Sequence, residues 1–171
     1  MDLTELRSEI DTLDSQLLKL ILKRTELVNQ VADYKSQNRI PIFAPEREHE
    51  ILERLSKKVG KNNAGGVKLL YGILMDLNKL REYQHVPPEI KVPTGLGGAS
   101  VRAILSDSPS ALCRYLSPLA AAEVVISDIR SQLLPGGKLV VDIELIGETG
   151  DPDFAAALSV LKDNAEQFTL L

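Results

Sequence analysis

An all-α first half followed by a smaller α+β second half is the fold class this sequence predicts, and three observations predict it. Residues 2–40 contain neither glycine nor proline, and their apolar side chains recur at helical spacing. Residues 86–98 are rich in proline and glycine, the texture of a linker. Beyond them, short alternating apolar runs are separated by helical stretches. The division drawn from this texture is a helical domain at 1–85, a linker at 86–98 and an α+β domain at 99–171.

The first helix is expected from Asp2 to Ile40. Leu3, Leu6, Ile10, Leu13, Leu17, Leu20, Leu27, Val28 and Val31 form a heptad stripe along it. Asp2 is placed to cap its first turn, with Glu5 answering three residues on as a capping box. A helix of some 35 residues is about 50 Å long at 1.5 Å per residue. The rest of a small domain cannot cover such a rod, so a second copy of the chain is expected along it, as a homodimer. Pro41 ends this helix. Pro45 opens the second at its first turn, where Glu46 and Glu48 suit the positive helix end. The second helix is expected to run to about Val59, where Gly60-Lys61-Asn62-Asn63 breaks it. A third follows Asn63, turns Val67, Leu70, Leu74 and Leu77 inward, and fades near Gln84.

In the second half, Val101 to Leu105 alternates as a strand. Ser108 to Ala122 reads as a helix with Leu112, Tyr115, Leu116 and Leu119 on one face. Val124 to Ser131 reads as a strand, and Pro135-Gly136-Gly137 turns into another from Lys138 to Ile146. Asp151-Pro152 opens a helix, and Phe168 to Leu171 closes the chain as a strand. The order β-α-β-β-α-β is that of the ferredoxin-like split motif.

Composition narrows the chemistry. A net charge of −4 and a pI near 5.3 give no general attraction to nucleic acid or to an anionic membrane. Any anion bound here must be held by locally placed cations. The lone Cys113 allows no intrachain disulfide and no cysteine-based metal site, and reads as a small core residue. His49 and His85 are far apart and read as surface or boundary residues. The acidic start Met1-Asp2-Leu3-Thr4-Glu5 is unlike a signal peptide, and no run approaches the roughly 18 apolar residues that span a bilayer. The expectation is cytoplasm.

Against this background a few cations break the pattern. Arg24 falls on the same seam position as Leu3, Ile10, Leu17 and Val31. An unpaired guanidinium in an apolar seam costs several kcal/mol. It either meets a carboxylate of the partner helix, specifying register as polar seam residues do, or receives a bound anion. Lys35, eleven residues on, returns to nearly the same face, whereas Arg7 lies about 100° away around the axis. One helix could thus serve two sites in a dimer. Arg47 and Glu48 open the second helix, where cations and a helix N-terminus meet. Each alone is ordinary surface charge; their convergence points to a compact dianion.

The spacing Leu6-Arg7-x-x-Ile10-x-x-Leu13-Asp14-x-x-Leu17-Leu18, Lys23-Arg24-x-Glu26-Leu27, Tyr34-Lys35, Pro41 and Glu46-Arg47-Glu48-x-x-Ile51-Leu52 resembles the all-α chorismate mutases. The resemblance covers residues 3–84. It implies an intertwined homodimer that rearranges chorismate to prephenate without cofactor or metal. It implies that Arg24, with Arg7 reaching from the other subunit, holds the substrate carboxylates by bidentate pairing. Arg47 would help set the anion, Lys35 would donate to the breaking ether oxygen, and Glu48 would accept from the ring hydroxyl. Asn78 and Glu82, four residues apart on the third helix, would share a face toward the substrate. Lys35, Arg24 and Glu82 are the implied catalytic groups. A Glu82 touching the ether oxygen must be protonated to donate, so activity is expected to fall as pH rises. Ala44 departs from members that carry an acidic side chain before the second helix.

Residues 100–171 resemble the ACT domain at the end of prephenate dehydratases. Asp107-Ser108-Pro109-Ser110-Ala111-Leu112 is similar to its D-x-P-G-A-L turn, and Asp151-Pro152 to its later helix entry. The resemblance implies an amino-acid effector near Asp107, Ser108, Ser110, Ala111 and Leu112. Ser110 replaces the turn glycine, and Arg130-Ser131-Gln132-Leu133 stands where phenylalanine-responsive members read E-S-R-P. A different effector and a purely oligomerising role both stay open. No dehydratase catalytic domain fits between the halves. The enzymatic alternative is an isochorismate pyruvate-lyase, and the non-enzymatic one an ACT sensor whose helical part only dimerises.

Overall fold

The structure is a computed structural model that describes residues 2–85, 97–106, 108, 110–148 and 150–171. The expected linker at 86–98 falls almost wholly outside the described residues, as does Asp107. By its internal contacts the chain forms two compact units, Met1–Ile40 and Pro41–Leu171.

The first unit is one helix, α1 (Leu3–Asn38). The Asp2 carboxylate accepts from the backbone of Thr4 and Glu5, and Glu5 accepts from the backbone of Asp2, which completes the capping box. Arg39 ends the helix in the left-handed region, its N–H donating to the Lys35 and Ser36 carbonyls. The heptad stripe is uncovered: Leu3, Ile10, Leu17 and Val31 are all about half exposed or more.

The second unit begins with α2 (Pro45–Ser56) and α3 (Lys61–His85), which pack on each other. α2 stops at Ser56, short of the expected Val59, and the break runs from Lys57 to Gly60, which takes φ +74°. Lys61, Asn62 and Asn63, expected in the interruption, already belong to α3. The inward face of α3 also differs from expectation. Leu70 is 60% exposed, whereas Met75, Asp76, Asn78, Lys79, Leu80 and Glu82 are buried. The reason is tertiary, because α3 is covered by α4 (Ala111–Ala121) and α5 (Pro152–Asp163) of the second half.

Those helices lie against a four-stranded antiparallel sheet of β1 (Ala99–Leu105), β2 (Val125–Leu133), β3 (Leu139–Ile146) and β4 (Gln167–Leu170). The strand order is β2-β3-β1-β4. Opposed pairs Val101↔Ile143 and Ala103↔Val141 put one apolar face inward. There it meets Tyr115 and Leu119 of α4, Phe154, Leu158 and Leu161 of α5, and Leu80 of α3. Asp151 caps α5 and Pro152 takes its first position, as the sequence suggests. The fourth helix is shorter than expected, starting at Ala111 rather than Ser108. Cys113 is exposed, not a core residue, because it falls on the outer face of α4. No helix among the described residues is long and apolar enough to cross a membrane.

Candidate active site

Arg7, Arg24 and Lys35 are carried by α1. Arg7 is exposed, whereas Arg24 and Lys35 are half-buried. Eleven residues of ideal helix bring Lys35 to within roughly 20° of Arg24. The two therefore share one stripe, three turns apart.

Arg47 and Glu48 both sit in the first turn of α2, yet their side chains part company. The exposed Arg47 donates to Glu50 at 2.7 Å, holding that carboxyl below its ordinary range. Glu48 turns toward α3, where its Oε1 lies 3.1 Å from Lys79 Nζ. Its Oε2 is 3.9 Å from Arg114 Nη2. The structure therefore does not bring Arg47 and Glu48 together.

Asn78 and Glu82 are 5% and 6% exposed, one turn apart on α3. The Nδ2 donor of Asn78 is buried and has no hydrogen-bond partner among the described residues. Such an atom costs about 1–3 kcal/mol if nothing ever meets it.

Sequence reasoning missed the charges beside these residues. Asp76, fully buried, accepts from Lys79 at 3.1 Å and from the Arg114 guanidinium at 3.1–3.2 Å. Lys79 also donates to Asn164 Oδ1 at 3.2 Å and lies 4.8 Å from the centre of the Phe43 ring. The available signal was an Asp and a Lys three residues apart on the apolar third helix. Tyr83 donates to Asp163 at 2.7 Å, and burial pushes that carboxyl above its ordinary range.

A cavity of about 460 Å³ runs from Glu48 and Arg114 to Ser108, Ser110 and Asp163. It thus touches one implied substrate residue and the turn implied to bind an effector. Ala111 N–H donates to the Ser108 carbonyl at 3.0 Å, which tightens the entry to α4. Leu112 is half-buried on its first turn. Among the described residues no group of three His, Cys, Asp or Glu side chains is placed to hold a metal.

The description of chorismate mutase type II matches residues 6–83, ending before the sheet-forming region. The chorismate mutase of Methanocaldococcus jannaschii is 39% identical over 87 residues, 49% of this chain and 87% of that protein. The bifunctional chorismate mutase/prephenate dehydratase of Aquifex aeolicus is 41% identical over 66 residues, 39% of this chain. This chain spans only 18% of that relative's length. A solved structure titled as GqqA, a novel type of quorum quenching acylase, aligns at a TM-score of 0.43 with 26% identity. That alignment covers 49% of this chain and 45% of the other. Identity of 39% across nearly the whole of a small relative is decisive, and the chain belongs to the chorismate mutase type II family.

Proposed function

We propose that this protein converts chorismate to prephenate on its helical part and carries an ACT-like regulatory domain in residues 99–171. The observation that carries the mutase reading is a polar face built into an otherwise apolar helix. Asn78, with an unmet donor, and Glu82 lie buried one turn apart inside the matched segment. A ligand with oxygen acceptors would meet that donor.

The reaction is a Claisen rearrangement within one molecule. The ether C–O bond breaks as a C–C bond forms, and no proton or electron leaves the substrate. The protein must hold the folded conformer and stabilise charge building on the ether oxygen. Holding reacting atoms in near-attack geometry contributes up to several kcal/mol. In this reading Arg24, together with Arg7 of a second copy, holds the carboxylates and Lys35 donates to the ether oxygen. Glu48 accepts from the ring hydroxyl. The uncovered heptad stripe of α1 supports a second copy along that helix.

The regulatory reading is supported by the element order β1-α4-β2-β3-α5-β4 with strand order β2-β3-β1-β4. An effector would enter near Ser108, Ser110, Ala111 and Leu112. Division of the chain at 86–98 belongs to the same proposal.

The test is to incubate the full chain with chorismate and follow prephenate, with phenylalanine, tyrosine and tryptophan added in turn. Lys35→Ala should lower kcat by about 10²–10³-fold, the usual effect of removing one donor to a developing oxyanion. Formation of salicylate and pyruvate from isochorismate, with chorismate untouched, would replace the mutase reading with the lyase one. Full activity in Lys35→Ala would remove Lys35 from its role.

A further inference from the structure

Helix α3 carries a slot shaped for one side chain. A Cβ at Gly72 would lie 2.5 Å from Nε, 2.8 Å from Cδ and 2.9 Å from Cζ of Arg114. No other residue at position 72 lets the Arg114 guanidinium lie where it does. One turn further along α3, Asp76 receives that guanidinium on both carboxylate oxygens. Gly72 and Asp76 are thus two parts of one receptor for a residue of α4.

The slot leads to Glu48. Lys79 bridges Asp76 and Glu48 at 3.1 Å each, and Arg114 lies 3.9 Å from the other Glu48 oxygen. Two anions and two cations therefore close a ring, and Glu48 is gripped from both sides. Buried charges of this kind are costly unless every partner is present, so losing Arg114 must disturb the whole ring. The apolar packing of Leu80 could have joined α3 to the sheet without any of these charges.

We propose that Arg114, seated in the Gly72–Asp76 slot, is a positioning residue that fixes the Glu48 carboxylate and so ties substrate affinity to the C-terminal region. This rests on the reading of Glu48 as acceptor of the substrate's ring hydroxyl. Arg114 itself touches no reacting atom. It lines the same cavity as Ser108 and Ser110, so a molecule entering from that turn meets Arg114 and acts on Glu48 through it. The ring hydroxyl neither forms nor breaks a bond in the rearrangement, so it is held alike in ground and transition states. Loss of its acceptor's position therefore raises KM and leaves kcat nearly unchanged.

The test compares steady-state chorismate turnover in the full-length parent, Gly72→Ala, Arg114→Lys and Arg114→Gln. Gly72→Ala keeps every charge and suits a helix, but displaces the guanidinium. The expected result is a KM raised about tenfold in Gly72→Ala with kcat within about twofold, and a smaller rise in Arg114→Lys. In a Glu48→Gln background, Arg114→Lys should raise KM no further. An unchanged KM in folded Gly72→Ala and Arg114→Lys, or a fall confined to kcat, overturns the proposal. Should Arg114→Gln not fold, those two variants decide. A parent that leaves chorismate untouched overturns the mutase reading itself and this inference with it. A flat KM in active variants overturns the inference alone.

Discussion

The hydroxyl of Tyr83 on α3 donates to Asp163 Oδ2 at the end of α5, 2.7 Å away, and so joins a matched helix to the sheet-bearing region. Burial is the largest influence on the Asp163 carboxyl and raises its pKa above 3.8. The Tyr83 hydrogen bond and the Lys79 and Lys162 charges work against that rise, while Glu48 adds to it.

A raised carboxyl pKa in the folded state means that the folded protein binds this proton more tightly than the unfolded chain does. The associated stability is fully present below pH 3.8 and is lost as pH climbs through the raised value. Asp163→Asn carries no such loss. Its melting temperature, measured against the parent from pH 4 to pH 8, should therefore gain on the parent as pH rises. A difference that stays flat or shrinks would contradict the assignment.

Tyr115 is 1% exposed, and its hydroxyl is buried without a hydrogen-bond partner among the described residues. Burial also pushes its pKa up. Removing an unmet buried hydroxyl while keeping the ring saves its desolvation cost. Tyr115→Phe should thus be neutral or stabilising by about 1 kcal/mol in a urea titration. A loss of that size would reveal a partner for the hydroxyl.

The proposed role of Glu82 is sensitive to pH in a way that its amide analogue is not. A carboxyl can donate to the ether oxygen only while protonated, whereas a glutamine amide donates at every pH. Activity of the parent should fall as pH rises. Glu82→Gln should hold its activity across that range. Identical profiles for the two proteins would take Glu82 out of the reaction.

The stripe on α1 makes a prediction about assembly. Leu17 lies on it and is 51% exposed in the single chain. If a second copy covers this stripe, Leu17→Asp places a charge in the seam and should shift the protein toward monomer in sedimentation velocity. Activity at low protein concentration should fall with it, since Arg7 would no longer reach the neighbouring site. A parent that sediments as a monomer under the same conditions would defeat the idea.

What was legible in the sequence is what depends on near neighbours along the chain. The capping box of Asp2 and Glu5, the opening of α2 at Pro45 and the Asp151-Pro152 entry to α5 all involve residues within a few positions of one another. The succession of elements in the second half, strand, helix, two strands, helix and strand, was legible as well. The inward face of α3 was not legible, because its covering comes from α4 and α5. Asp76 looks like a surface charge until Arg114, 38 residues later, is brought to it by the fold. The same holds for Glu48, whose setting depends on Lys79 and Arg114, which neighbouring positions do not reveal. Cys113 misled because a small thiol suits either side of an amphipathic helix.

Leu80 seats in the sheet's core although it belongs to a helix of the mutase segment. A cut after residue 85 would therefore leave a scar on the helical piece. Its apolar patch would lose its cover, Asp76 would lose Arg114, and Lys79 would keep Glu48 and Asp76 but lose Asn164. Exchange of this helical segment between proteins as a ready-made cassette would need that scar repaired first. The second half of the chain serves as scaffolding for α3.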